Sequence, residues 1–512
     1  MNYLDPLSFF SRIFASIMIV ILTIACQPTN SDKQEVRDGE KLAKKYCQNC
    51  HDAVEPGLLT KDVWVDFVLP AMSKHFGLEL WSKNSYQQTP KSTITYVDWM
   101  KMVKYYESAA PDSLTYTQPT KLKQGWSVFA LRKPVEDSSR IATTVMVAIN
   151  SSDRLIYTCD GDSADLFKWD DNFKLVGNSR LPSPATHILF NQGLDHVDIL
   201  TCIGGMKASD QTRGEVLAMD REKNIRLHPS PVMSGLIRPI HTIQTDYNKD
   251  GLTDYVVSAF GHTQGGLYLL KHLADHSFQK IPIREVPGAT QSITEDYNAD
   301  GWPDIMTLFA HGDEGIWLFL NDRKGGFSAK NILRFPPVYG SNSFQLVDMN
   351  RDGKLDIVYA AGDNSDYSKI LKPYHGVYIF TNLGDFNFKQ SYFFPINGCT
   401  KATASDFDLD GDMDIATIAF FADLKNKPAE KFIYLEHQNG TTGKFEPISI
   451  PVQQYGRWIC MDVNDWDADG DLDIVLGNYS KGLINQENVK PTWNTHLPFI
   501  VLENKTILTK NR

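Results

Sequence analysis

Two sets of residues in this chain have the types and spacing that chemistry requires. One occurs once, as Cys47-Gln-Asn-Cys50-His51. Two thiols held on one turn can add across the two vinyl groups of a porphyrin. The next residue, His51, then brings its imidazole to the iron from below. This spacing is the c-type haem attachment pattern, so Cys47 and Cys50 are the expected thioether positions and His51 the expected proximal ligand. The other set is an acidic loop that occurs five times: 246–254 (DYNKDGLTD), 296–304 (DYNADGWPD), 348–356 (DMNRDGKLD), 406–414 (DFDLDGDMD) and 465–473 (DWDADGDLD).

Each acidic loop has oxygen side chains at positions 1, 3, 5 and 9 and Gly at position 6. Alternating oxygen donors around a sharp glycine turn are how the EF-hand loop begins, and hard oxygens suit calcium. The bidentate Glu that an EF-hand has at position 12 is missing. Val257, Thr307, Tyr359, Thr417 and Leu476 stand there instead, each in an apolar run. The Asp at position 9 is therefore expected to close the shell, and position 7 to offer only its carbonyl. The candidate ligands are Asp246, Asn248, Asp250 and Asp254; Asp296, Asn298, Asp300 and Asp304; Asp348, Asn350, Asp352 and Asp356; Asp406, Asp408, Asp410 and Asp414; and Asp465, Asp467, Asp469 and Asp473. About five ions are expected, held most tightly at 406 and 465, where all four side chains are carboxylates. The competing reading is a solvated Asp-rich turn with no ion.

The haem motif needs helices around it. Val36, Gly39, Leu42, Ala43 and Tyr46 recur at helical spacing and lead straight into Cys47. A preceding helix argues against a thioredoxin-like dithiol, and the next cysteine is as far away as Cys159, which argues against a Cys₄ zinc site. A second helix-like stretch, Trp64 to His75, carries Met72, the first candidate for the distal iron ligand, with His75, Met100 and Met102 left open. A third, Thr95 to Tyr106, offers Val97, Met100, Val103 and Tyr105 or Tyr106 as an apolar stripe that could meet the first helix where Gly39 permits close approach. Residues 35–111 thus resemble class I cytochromes c. The resemblance implies a small all-α domain with one covalent haem c.

A Pro-, Thr- and Ser-rich connector (112–137) follows. From 138 to 508 the chain becomes short strands broken by Gly and Asp clusters, and the acidic loops recur at a period of roughly 50–60 residues, the mark of a repeat architecture. Two upstream units share the rhythm. Thr144 to Leu181 has an Asp-rich turn at 160–165, and His187 to Arg226 carries a worn loop from Asn191 to Asp198. The repeats resemble FG-GAP or VCBS repeats, which implies an all-β propeller, here of seven blades, with calcium between the first two strands of a blade. Arg238, His241, Gln291, Lys401 and Arg457 precede the loops at comparable places and are expected to line a central channel. Cys159, Cys202, Cys399 and Cys460 read as free thiols, although disulfides are allowed in an exported protein.

The N-terminus carries a targeting signal. Arg12 precedes the apolar run Ile13 to Ala25, too short to span a bilayer, and the run ends at Cys26. This resembles a bacterial lipoprotein signal (1–25) with Cys26 as the lipidated residue and 26–34 as tether. It implies a periplasmic or cell-surface location and a membrane anchor in the inner or outer membrane. The net charge of −11 excludes a nucleic-acid-binding face, and five divalent ions would nearly cancel it. The expected role is extracytoplasmic electron transfer, with a redox partner protein or a membrane electron-transfer chain as partner and the propeller as docking face. Two other roles stay open: the propeller as the catalytic head of a dehydrogenase feeding its own haem, or a surface module binding a glycan or peptide. The chain has no hydrolase elbow, phosphate loop or zinc-protease helix.

Overall fold

The computed structural model describes residues 30–49, 51–82, 85–116, 121–191, 197–221, 225–365, 368–438 and 443–507. The expected signal segment, Cys26 and Cys50 lie outside the described residues. The chain divides into two compact units, Met1–Leu114 and Thr115–Arg512.

In the first unit, helix α1 (Asn30–Cys47) packs on helix α2 (Tyr96–Ala109). The expected role of Gly39 holds. A Cβ at that position would stand 2.1 Å from the Lys101 carbonyl oxygen, so only glycine lets the two backbones approach this closely. Lys104 of α2 ties the other end of the crossing, bonding Asp32 and Glu35 of α1 at 2.6 Å each. Thr95 caps α2 by accepting the Asp98 N–H.

The buried stripe of α2 is rotated from the expected one. Trp99, Met102, Val103 and Tyr106 are buried, while Val97 is 62% exposed. Trp99 and Tyr106 have the larger apolar surfaces, and burying them turns Val97 outward. The stretch from Lys61 to Phe76 is helical but broken. It widens to π spacing over Trp64–Val68, just before Pro70, which lacks the N–H that would continue the ladder. The unit also contains a hairpin (Leu78–Ser82 with Ser85–Gln88), so the expectation of a purely α-helical unit is corrected.

The second unit is a seven-bladed β-propeller of four-stranded antiparallel sheets, with a fifth strand added in blades 2 and 6. The first strands of the blades are Thr144–Asn150, Ala185–Leu189, Pro239–Thr245, Ala289–Glu295, Ser341–Val347, Cys399–Ser405 and Trp458–Asn464. They contact one another in turn, blade 7 against blade 1 included, and so surround the axis. The main apolar cores lie between neighbouring blades. Ile199 and Val216 meet Val257 and Leu270 between blades 2 and 3, and Val475, Phe499 and Val501 meet Val147, Ile149 and Ile156 between blades 7 and 1. The second and third strands are buried on both faces, which explains their continuous apolar runs.

Ring closure corrects the expected connector. Phe129–Arg132, inside 112–137, is the outer strand of blade 7, antiparallel to Phe499–Asn504. Lys123–Gln124 adds to the edge of blade 6. A four-residue strand this far from the repeats has no local signal; its partner lies at the other end of the chain. It removes an edge that would otherwise be open. The strand order alternates direction, so the acidic loops all lie on one face. The loops from second to third strands lie on the opposite face, among them the Asp160 turn of blade 1 and the long segments 362–375, 420–431 and 479–498.

Candidate metal loops and the Cys47–His51 segment

The acidic loop folds the same way in all five blades. The Asp at position 1 accepts the N–H of Gly at position 6: Gly251 to Asp246 at 3.1 Å, Gly301 to Asp296 at 2.7 Å, Gly353 to Asp348 at 2.8 Å, Gly411 to Asp406 at 3.0 Å and Gly470 to Asp465 at 3.2 Å. Two residues per loop are left-handed. Gly251 has φ +82°, and position 4 is left-handed at Lys249, Ala299, Arg351, Leu409 and Ala468, none of them glycine. Sequence reasoning found position 6 and missed position 4, because nothing in those five side chains announces a positive φ.

Position 9 has a second role. Asp254, Asp304, Asp356, Asp414 and Asp473 are fully buried. One oxygen of each accepts a backbone N–H at the end of the third strand, at 2.7 Å from His272 and 2.8 Å from Asn321, Asn382, His437 and Asn504. In four of the loops the other oxygen accepts the N–H of position 2, as from Trp466 to Asp473 at 2.9 Å. The carboxylate therefore clamps loop, second strand and third strand together. Burial pushes these carboxyls up, to about 7 at Asp414 and Asp473.

The loops differ in what remains available for a cation. At 406 the oxygens of Asp406, Asp408 and Asp410 lie within 4.8 Å of one another, and at 465 those of Asp465, Asp467 and Asp473 do. The expected four-carboxylate sets are thus brought together in part: Asp414 is held by the Tyr434 hydroxyl and two backbone N–H groups, and Asp469 stands outside its group. Oδ1 of Asp406 and Oδ1 of Asp465 are buried with no hydrogen-bond donor, which fits a site for a hard cation. At 296, Arg323 pairs with Asp300 at 2.7 Å; at 348, Lys354 reaches Asp352 at 3.3 Å. At 246 and 296 the Asn side chain at position 3 bonds the Asp at position 5. At position 7 of the two richest loops Asp412 and Asp471 are buried side chains.

Cys47, half-buried, ends α1, and the His51 N–H bonds the Cys47 carbonyl at 3.2 Å. Nδ1 of His51 lies 2.7 Å from the Asp52 carbonyl oxygen. A carbonyl only accepts, so Nδ1 donates and Nε2 is the nitrogen left for an iron, the arrangement a ligating His uses. Beside the segment is an open cavity of about 330 Å³ lined by Ala43, Gln48, Asp52, Val54, Tyr105 and Tyr106 among others. Tyr106 braces it from behind, donating its hydroxyl to the Val54 carbonyl at 3.0 Å and packing on Trp64 at 4.2 Å. Met72 is half-buried, His75 exposed and Met100 half-buried; Met102 is core.

Of the residues expected to line the channel, His241, Gln291 and Lys401 share one level. Each follows the one-residue bulge that opens its inner strand. Register adds His187 and Cys460 to that level, and the sequence comparison of blades missed His187 as a lining residue. Arg238 and Arg457 do not belong there. They precede the bulge and turn toward the loops: Arg238 bonds the Gly261 carbonyl, and Arg457 bonds the carbonyls of Phe420 and Gly482 and stacks on Phe420 at 3.7 Å. Cys159, Cys202, Cys399 and Cys460 are free thiols, Cys460 only half-buried.

Comparison with known proteins agrees with the blade reading. Residues 246–307 and 296–359 match the FG-GAP-like repeat. Cartilage acidic protein 1 from Mus musculus is 27% identical over 176 residues, 33% of this chain and 26% of that protein; its Homo sapiens counterpart is 28% identical over the same shares. The chain therefore spans about a quarter of the length of these curated relatives. Among solved structures, the Dos1 propeller gives a TM-score of 0.34 at 13% identity, covering 54% of this chain and 75% of that one. A functionally unknown protein from Desulfotomaculum acetoxidans gives 0.33 at 13% identity, covering 49% and 71%. Scores of that size carry no argument, and the blade count rests on the strand order.

Proposed function

We infer that the protein is an exported electron carrier: a c-type haem domain joined to a calcium-stabilised propeller that docks its redox partner. The observation that carries the haem reading is the His51 Nδ1 bond to the Asp52 carbonyl, which leaves Nε2 for an iron, one turn beyond Cys47. Cys47 and Cys50 would hold the porphyrin, His51 would ligate its iron, and Met72 is the first candidate on the other side. A haem bound there supplies a one-electron couple. The crossing of α1 and α2 at Gly39 holds the motif, and Tyr106 and Trp64 fix the chain that follows it. Cys26 would anchor the chain to a membrane. No helix among the described residues is long and apolar enough to cross one.

The calcium reading rests on the orphaned oxygens of Asp406 and Asp465 and the carboxylates gathered around them. The ion would tie the first two strands of a blade at the same end as the position-9 clamp, and so stiffen the face.

The test is direct. The chain is produced with a haem-attachment system, and haem is assayed after denaturation and acid extraction. One haem per chain that stays attached, and is lost in Cys47→Ala with Cys50→Ala, supports the reading; no attached haem overturns it. Oxidised protein is then mixed with candidate substrates alone and with envelope extract. Reduction that needs the extract supports a carrier, and reduction by a small substrate alone points to an enzyme. Calcium is counted by dialysis with and without chelator.

A further inference from the structure

We propose that the axial channel of the propeller holds a small oxoanion or carboxylate between the Lys401 ammonium and the imidazoles of His187 and His241. The two imidazoles come from adjacent blades and stand 4.2 Å apart, ring centre to ring centre. Both are deeply buried, yet they keep some accessible surface, as do Gln291, Lys401 and Cys460 at the same level. Buried groups with residual surface face internal space, here the axis that the inner strands surround.

The hydrogen-bonding inventory selects the occupant. Lys401 comes from blade 6, across the axis, and its charge reaches both imidazoles. Its hydrogen bond goes to the Met461 carbonyl at 2.8 Å, which leaves two ammonium protons. Among the described residues no carboxylate lies at ion-pair distance from it. Asp462, two residues beyond Cys460 on the same inner strand, feels the Lys401 charge without pairing with it and accepts the Ile149 N–H at 2.8 Å. The Ser292 N–H faces Nδ1 of His241 at 3.5 Å, so the His241 proton sits on Nε2. Nδ1 of His187 is buried with no partner. Burial, and then the Lys401 charge, push His187 down to about 4, so each imidazole is neutral and offers one N–H. The Gln291 amide adds a further donor at the same level.

A transition metal fits less well. His241 with Nδ1 accepting and Nε2 protonated has no lone pair to give, and a fixed ammonium beside the pair repels a cation. An acceptor with negative charge suits the ammonium and the neutral N–H groups at this level.

The purified full chain is dialysed in calcium buffer against radiolabelled acetate or sulfate at fixed ionic strength, with chloride as background, and melted in parallel. Saturation at one anion per chain, with a raised melting temperature, is expected for one of the two. Acetate alone identifies a carboxylate site, and sulfate a tetrahedral oxoanion site. Lys401→Met and His241→Phe should each weaken binding about tenfold or more, and Lys401→Arg should keep it within about threefold. Near-UV circular dichroism checks folding, and Lys401→Gln replaces Lys401→Met if that variant does not fold. Absence of saturable binding, or binding unchanged in the Lys401 variants, overturns the proposal. Stoichiometric binding of zinc that needs both histidines also overturns it.

Discussion

In blade 2 the guanidinium of Arg221 lies on the carboxylate of Asp198, Nε to Oδ2 at 2.9 Å, with Arg221 5% and Asp198 0% exposed. Asp198 also accepts the Asn191 N–H at 3.1 Å, seven residues back, the same local bond that Tyr297 makes to Asp304 in blade 4. Blade 2 has thus kept the buried clamp and placed an internal cation beside it. Arg221→Met should cost about 3–5 kcal/mol, because it leaves a buried charge unpaired. Arg221→Met with Asp198→Leu should recover most of that loss. Urea unfolding of the parent protein and the two variants decides the matter; if the single variant costs nothing, the pair has no structural role.

In the loop at 465 one candidate ligand is also a clamp and another is not. Asp473 holds two backbone N–H groups, whereas Asp467 reaches only Asp469 of its own loop, at 3.3 Å. In chelator, Asp473→Ala should lose about 2–4 kcal/mol, since both N–H groups are left buried, and Asp467→Ala should stay within about 0.5 kcal/mol. In calcium both should lose stability. Equal behaviour of Asp467→Ala in the two buffers would show that no ion uses that carboxylate.

Glu314 is fully buried at the start of a third strand. It accepts the Ser341 N–H at 2.6 Å on one oxygen and has no partner on the other. Burial raises its carboxyl from 4.5 to about 8. The folded state therefore holds this proton over a range where the unfolded chain has lost it. Stability from this group is full below about pH 4.5, falls as pH rises to about 8 and is flat above. The total fall is about 3–5 kcal/mol. Glu314→Gln keeps the Ser341 bond and carries no charge, so it should be the more stable protein at pH 9 and nearly equal at pH 5. Denaturant melts at the two values test the sign.

Gly39 makes the first unit sensitive to a single methyl. Gly39→Ala must part α1 from α2, because the new Cβ meets backbone rather than a movable side chain. A loss of about 1–3 kcal/mol is expected. Gly57, with open space around it, is the control, and Gly57→Ala should change little. Thermal melts followed at 222 nm compare them.

The sequence by itself determined the repeat: its period, the five loops, the glycine at position 6 and the strands that leave each loop. It determined the helix that leads into Cys47 and the glycine at which a second helix crosses it. These are local patterns, set by residues a few places apart, and they read directly. Only the tertiary structure decided what lies far apart in the chain. Phe129–Arg132 gives no sign of its pairing with Phe499–Asn504, because the partner sits at the other end of the propeller. The same holds for position 9. As a sequence pattern Asp473 is a ligand, and the structure adds a clamp on Asn504 and Trp466, since a carboxylate that deep must be bonded before it can be shared. The meeting of His187 and His241 depends on two blades standing side by side around one axis, and closure is a property of the ring rather than of any repeat.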